Sequence, residues 1–62
     1  MSNHRISKPK SSEYKVFRVN GNRVTISHFE YYTGPQVCPD RSVSLEAARK
    51  EWSKLIRLGW YQ

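Results

Sequence analysis

Cys38 and His28 are the residues of this chain whose types could together perform nucleophilic chemistry. A thiol is activated when an imidazole acts as its base, and such an enzyme also needs a third, orienting group and an oxyanion-binding loop. The sequence indicates neither, and a chain of 62 residues has little room for the concave, partly dry pocket that catalysis requires. We therefore predict that the protein is not an enzyme.

Metal and cofactor sites are also not indicated. His4 and His28 lie far apart, and with the single Cys38 they do not form the closely spaced pairs typical of zinc ligands. The three glycines stand at predicted turns or at a helix end, without the pattern of a nucleotide-binding loop. We expect no metal and no cofactor.

Basic and aromatic residues are concentrated between positions 14 and 32. Aromatic side chains on a sheet, flanked by cations, can stack nucleic-acid bases and hold phosphates. The same residue types dominate the binding energy of protein interfaces. Both interpretations predict a partner-binding surface, to which a basic helix face adds three cations. The predicted partner-binding residues are Tyr14, Arg18, Arg23, Phe29, Tyr31, Tyr32, Lys50, Lys54 and Arg57.

The composition favours an acidic partner. The chain carries 11 lysines and arginines against 5 acidic residues, a net charge of +6, which attracts nucleic acid, acidic protein faces or anionic membranes. No apolar run approaches the roughly 20 residues of a membrane span, and the segment Met1–Ser12 lacks the apolar stretch of a secretory signal. Because a lone cysteine is typical of a reducing compartment, we expect a cytoplasmic location.

A β-hairpin is the strongest signal for the scaffold of these residues. The segment Asn20–Asn22 separates two β-prone runs, Glu13–Val19 and Arg23–Tyr32. Asn-Gly between such runs predicts a two-residue turn whose central residues both take positive φ.

The register of this hairpin is open between two alternatives. A turn at residues 20–21 places Arg18 opposite Arg23, with some like-charge repulsion, whereas a turn at residues 21–22 pairs Val19 with Val24. The registers differ by two residues and leave the same side chains on one face. The predicted core face consists of Phe17, Val19, Val24 and Ile26.

The second run of the hairpin changes phase after Ile26. Phe29 and Tyr31 alternate onto the opposite face, where Tyr14 also lies. Either a bulge near His28 re-aims the strand, or the sheet is apolar on both sides and exposes Tyr14, Phe29 and Tyr31 as an aromatic surface.

The segments on either side of the hairpin have weaker signals. Met1–Ser12 is rich in serine and lysine, with Ile6 as its aliphatic residue, so we predict a flexible basic arm. Gly34-Pro35 and Pro39-Asp40 indicate turns. Gln36–Cys38 can add a short edge strand, which the prolines limit because proline cannot donate to a sheet ladder.

An amphipathic helix is predicted from about Leu45 to Leu58. Ser44 is a good N-cap, Gly59 suits the left-handed position after the helix, and Trp60 can then pack back on Leu55. The predicted apolar stripe is Leu45, Ala48, Trp52, Leu55 and Ile56, opposite Lys50, Lys54 and Arg57. Trp52 and Trp60 are expected in the core.

The predicted fold is α+β. A hairpin or three-stranded antiparallel sheet packs against one C-terminal helix, as a single small domain at 13–62 preceded by the basic arm at 1–12. Such a sheet has exposed edges, through which self-association can occur.

The run SLEAARKEWSKLIRLGWYQ resembles the end of a family of small cyanobacterial proteins, in which a short β segment precedes a helix of the form EEA…W..L...GW. The matching residues are Glu46, Ala47, Ala48, Arg49, Trp52, Leu55, Gly59 and Trp60, and the run covers about a third of the chain. The family has no assigned activity, so the resemblance implies a small accessory protein of a photosynthetic bacterium and nothing finer.

Two functions are consistent with these features. The first is a small accessory or regulatory protein that binds an acidic face of a larger protein or complex. The alternative is a nucleic-acid-binding protein that uses the same aromatic and basic residues. They differ in salt dependence, because counterion release makes phosphate binding fall steeply as salt rises.

Overall fold

The computed structural model describes residues 2–32 and 36–62, which form an antiparallel sheet and one helix. The elements are β1 (Ser2–Ser7), β2 (Glu13–Asn20), β3 (Arg23–Glu30), β4 (Gln36–Ser44) and α1 (Leu45–Arg57). The strands lie in the order β1-β2-β3-β4 in one four-stranded sheet, and α1 packs on one face of it. The α+β fold class is confirmed, with more strands than the two or three predicted.

The central hairpin adopts the register with the turn at Gly21 and Asn22. Val19 pairs with Val24, as this turn requires. Gly21 has a φ of 62°, but Asn22 keeps a negative φ, so the expectation that both central residues are left-handed is wrong. A left-handed glycine at the first central position is the requirement of a type II′ turn, which also suits the twist of a hairpin.

The segment predicted as a flexible arm is instead an edge strand followed by a turn. Strand β1 pairs with β2 from Ser2 opposite Val19 to Ser7 opposite Tyr14, and the side chain of Ile6 is completely buried at 0% exposure. The prediction is wrong because β2 satisfies the backbone groups of this polar segment. One well-placed isoleucine then anchors the strand in the core.

Strand β4 is longer than the predicted edge strand at 36–38 and continues to Ser44. Pro39 and Asp40 lie within it, so the turn predicted there is wrong. Proline is tolerated because β4 is the outer strand of the sheet and pairs on one side. The turn predicted at Gly34-Pro35 lies outside the described residues.

Near His28, β3 pairs differently with its two neighbouring strands. The pairing of β2 with β3 is regular from Glu13–Glu30 to Asn20–Arg23, whereas the pairing of β3 with β4 has register shifts on both sides of His28. The sheet therefore carries apolar side chains on both faces. The face turned away from α1, called the open face below, carries Arg5, Tyr14, Val16, Arg18, Arg23, Thr25, Ser27 and Phe29.

The hydrophobic core lies between the other face of the sheet and α1. Its buried residues are Ile6, Phe17, Val24, Ile26, Ala48 and Leu55, with Val19, Val43, Leu45, Trp52 and Trp60 partly buried around them. Ile56, predicted on the apolar stripe, is 46% exposed. Successive helix residues are rotated by about 100°, so a helix that points Leu55 at the sheet turns Ile56 towards solvent.

Both predicted caps of α1 are present. The Ser44 Oγ accepts a hydrogen bond from the Ala47 N–H at 3.1 Å. Gly59 has a φ of 97°, and the Trp60 N–H donates to the Leu55 carbonyl at 3.0 Å. This is the longer-range bond of a Schellman motif, which reverses the chain after the helix.

Replacing Ser44 with alanine is expected to lower the free energy of unfolding by about 1 kcal/mol, because the Ala47 N–H loses its acceptor. Ser44→Asp keeps an acceptor and is expected to retain most of the stability. Urea unfolding followed by circular dichroism measures both changes. An unchanged midpoint for the alanine variant would contradict the capping role.

Candidate partner-binding surface

The nine predicted partner-binding residues are divided between two sides of the molecule. Those on the open face or at its end are Tyr14, Arg18, Arg23, Phe29, Tyr31 and Tyr32. Those on the solvent side of α1 are Lys50, Lys54 and Arg57. Because α1 packs on the opposite face of the sheet, the helix cations do not extend the aromatic surface.

A stack of three side chains crosses the open face. The rings of Tyr14 and Phe29 lie 5.3 Å apart with an interplanar angle of 22°, and the Arg5 guanidinium carbon lies 4.1 Å from the Tyr14 ring centroid. Arg5 comes from β1 and Phe29 from β3, the two strands that flank Tyr14. The predicted aromatic surface is therefore present, and its central ring is already in contact on both sides.

All four tyrosines of the chain line one groove at the end of this stack. Tyr14 contributes from β2, Tyr31 and Tyr32 follow β3, and Tyr61 follows α1. Arg5 and Lys10 line the same groove, whose volume is about 510 Å³. We call this feature the tyrosine groove; besides Arg5, Lys10, Tyr14, Tyr31, Tyr32 and Tyr61, it is lined by Ser7, Ser11, Ser12 and Glu13.

Three of these tyrosines are largely exposed. Tyr31 is 63% exposed, Tyr32 is 84% exposed and Tyr61 is 56% exposed. The rings of Tyr31 and Tyr32 meet edge to face, with centroids 5.3 Å apart and an angle of 81°. These side chains contribute little to the core, and exposed tyrosine beside arginine is typical of binding hot spots.

Backbone hydrogen bonds between distant segments hold the walls of the tyrosine groove. The Ser7 N–H donates to the Tyr61 carbonyl at 2.7 Å, and the Tyr61 N–H donates to the Ser7 carbonyl at 3.0 Å. The Tyr31 N–H donates to the Ser12 carbonyl at 2.9 Å. The segments that carry Tyr31 and Tyr61 are thus fixed in place, and Tyr14 lies in the paired strand β2, which lowers the entropy cost of binding.

The polar part of the open face includes a hydrogen-bonded network around Arg18. Arg18 donates to Ser27 Oγ at 2.8 Å and to Asp40 Oδ2 at 3.1 Å, and Ser27 Oγ donates to Asp40 Oδ1 at 2.7 Å. Ser27 is buried beneath this network. Arg23 donates to the hydroxyl and the carbonyl of Ser42. The charge of Arg18 is therefore largely neutralised within the protein.

The hydrogen bond from Ser27, then that from Gln36, and the Arg18 guanidinium together hold the pKa of Asp40 below its usual range. A carboxylate with a lowered pKa stabilises the fold above its unfolded-state pKa, and the stability is lost as the pH falls through the folded-state pKa. We expect stability to decrease below about pH 4, and to decrease less steeply in Asp40→Asn. Urea midpoints measured at several acidic pH values test this, and equal slopes for both chains would contradict it.

Glu13 forms a second ionic cluster beside the tyrosine groove. Its carboxylate lies 3.4 Å from the Lys8 ammonium and 3.0 Å from His28 Nε2. Desolvation would raise the pKa of Glu13, but Lys8, the Ser11 hydroxyl and His28 together lower it. The groove therefore carries one carboxylate at its rim, already held by its neighbours.

The residues considered for nucleophilic chemistry occupy paired positions on neighbouring strands. His28 of β3 pairs with Cys38 of β4, but the His28 ring is engaged with Glu13. Cys38 is exposed. Within residues 2–32 and 36–62, no group of three or more histidine, cysteine, aspartate or glutamate side chains could hold a metal ion.

Arg5, Lys10 and Tyr61 are the basic and aromatic lining residues that the sequence-based prediction missed. Arg5 and Lys10 fall in the segment interpreted as an arm, and no local pattern reveals that this segment pairs with β2. For Tyr61 there is a usable signal, because the left-handed Gly59 turns the chain back towards the sheet after the helix.

No family model, curated protein or solved structure matches this chain. The resemblance of its C-terminal run to small cyanobacterial proteins stays a prediction. In the part of the chain that the structure describes, no helix is long and apolar enough to cross a membrane. Function therefore has to be inferred from the tyrosine groove itself.

Proposed function

We propose that this protein is a small, non-enzymatic accessory or regulatory protein of the cytoplasm that binds an acidic face of a larger protein through the tyrosine groove. The observation that supports this function is the convergence of all four tyrosines on one groove with Arg5 and Lys10. Tyrosine combines a large apolar surface with a hydrogen-bonding hydroxyl, and together with arginine it carries much of the energy of protein interfaces.

The open face supports a protein partner better than a nucleic acid. Tyr14 already contacts Phe29 and Arg5, so a base could stack on it only by displacing one of them. Arg18 is paired with Asp40, so its charge is not free to hold a phosphate. A binder of single strands would instead present open rings along a strip of unpaired cations.

The cations of α1 contribute to this function at long range. The Lys50 ammonium lies 3.7 Å from a carboxylate oxygen of Glu46 across one helical turn. Lys54 and Arg57 are exposed on the same helix. They do not lie beside the tyrosine groove, but the net charge of +6 raises the rate of encounter with an acidic partner.

The test is an affinity pull-down with the tagged full-length chain from a lysate of the source organism, at low and moderate salt, with and without nuclease. We expect one defined protein complex that survives nuclease treatment. It should weaken only modestly as salt rises, because salt does not screen the burial of aromatic surface. Material lost on nuclease treatment, with a steep salt dependence, would instead establish a nucleic-acid binder. Recovery of no partner under any condition would contradict the proposal.

A further inference from the structure

Lys10 has a φ of 57° and is the one non-glycine residue in the left-handed region within residues 2–32 and 36–62. This conformation is unfavourable for a side chain with a Cβ atom. Proline followed by a left-handed residue is the composition of a type II turn, in which glycine or asparagine is preferred at the second position. The chain has lysine there, after Pro9.

The surroundings of this turn hold Lys10 in its unfavourable conformation. The Lys8 N–H donates to the Glu13 carbonyl at 3.0 Å, and the Lys8 ammonium pairs with the Glu13 carboxylate. On the other side, a Cβ added to Gly59 would lie 3.5 Å from Pro9 Cγ, so the turn packs close to the end of α1. Strained conformations persist when neighbouring contacts over-determine them, and they concentrate at functional sites.

We infer that Lys10 is a partner-binding residue, and that the tyrosine groove binds an extended acidic peptide segment whose carboxylate pairs with Lys10 and Arg5. Glycine at this position would relieve the backbone but remove the positive charge of a residue that lines the groove. The inference rests on the proposed function and deepens it by naming the chemistry of the partner.

The walls and cations of the groove define this partner chemistry. Carboxylates match Arg5 and Lys10, while Glu13, the acidic lining residue, is already paired with Lys8 and His28. Tyrosine-lined grooves dock proline-containing extended segments, whose backbone is preformed and loses little entropy on binding. The tyrosine hydroxyls can donate to the carbonyls of such a segment, which has no internal hydrogen bonds. The occupant is therefore an acidic segment in which prolines separate the carboxylates.

Three variants of the full chain distinguish the effect of the Lys10 side chain on binding from the effect of its backbone strain on stability. Lys10→Gly is expected to raise the folding equilibrium constant about threefold, the relief of left-handed strain being partly offset by the flexibility of glycine. Lys10→Ala keeps the strain and gives no such gain. Both are expected to weaken binding about tenfold, whereas Lys54→Ala, which removes the same charge from the solvent side of α1, changes it less than threefold.

The binding probe is a short peptide of alternating glutamate and proline, titrated into the full chain and followed by amide NMR shifts. We expect shifts centred on residues 7–14, 31–32 and 61, and their loss when glutamine replaces glutamate in the peptide. Equal binding of the glutamine peptide, absence of groove shifts, or tenfold weakening by Lys54→Ala would overturn the inference. So would groove shifts produced by oligothymidylate and not by the peptide.

Failure of this inference is distinguishable from failure of the proposed function. If the pull-down recovers a nuclease-resistant complex that depends on Tyr31 but is retained by Lys10→Gly, the accessory function stands and the role of Lys10 is wrong. If the pull-down recovers no such complex, the proposed function itself fails.

Discussion

A chain that lacks Ser2–Ser7 is expected to be unfolded. A domain of this size is stable by only about 3–9 kcal/mol, at the usual 0.05–0.15 kcal/mol per residue. Strand β1 contributes the fully buried Ile6 and pairs along β2, and its removal would open the core and expose the edge of β2. The C-terminal wall of the tyrosine groove would also lose its anchor, because Tyr61 bonds to Ser7.

The point substitution Ile6→Ala is expected to lower the free energy of unfolding by about 3 kcal/mol, and Ile6→Val by about 1 kcal/mol. Neighbouring Arg5 points to the open face, so Arg5→Ala serves as a control within the same strand, with an effect below about 1 kcal/mol. Circular dichroism and urea unfolding measure all three. A truncated chain that unfolds like the full chain would contradict the strand and restore the flexible arm.

The parts of the fold that the sequence predicts are those set by local chemistry. The hairpin turn at Gly21, the alternation around Phe17 and Val24, and the Ser44 cap each depend on a few neighbouring residues. Gly59 makes the end of the helix predictable, because only a residue without a Cβ atom readily adopts its φ of 97°. These signals are sufficient for the α+β class, the core face of the hairpin and the position of the helix.

Strand β1 could not be predicted in this way because non-local contacts hold this segment in its extended conformation. Its side chains towards the core are Ser2, His4 and Ile6, of which only the last is apolar. His4 gains a partner only through the fold, where its ring lies edge to face with that of Trp52, with centroids 6.2 Å apart. The composition of this segment does not reveal the hydrogen bonds to β2 that keep it extended.

The candidate site was partly predictable for the same reason. Tyr14, Tyr31 and Tyr32 belong to the hairpin, whose pairing brings the end of β3 beside the start of β2. Arg5 and Tyr61 arrive through β1 and through the chain reversal after α1, so their place in the tyrosine groove depends on topology. Whether Arg18 and the helix cations share a surface also depends on topology, and they do not, because alternation puts Arg18 on the side of the sheet opposite α1.

Removal of the Tyr31 or Tyr32 side chain is expected to have the largest effect on partner binding. Hot-spot aromatics cost about 2 kcal/mol or more when truncated to alanine, which corresponds to roughly a thirtyfold weaker affinity. Because these rings are exposed in the free protein, the stability of each variant is expected to change by less than about 0.5 kcal/mol. Affinity for the purified partner, measured by calorimetry beside urea unfolding, separates the two effects.

Leu58 provides the matched control for this measurement. It is 61% exposed, close to the 63% of Tyr31, but it is the C-cap of α1 and does not line the tyrosine groove. Leu58→Ala removes an exposed apolar side chain without altering the tyrosine groove, so the affinity should stay within about threefold of the full chain. If Leu58→Ala weakened binding as much as Tyr31→Ala, an exposed apolar side chain outside the groove lining would matter as much as Tyr31, and the tyrosine groove would not be the specific binding site.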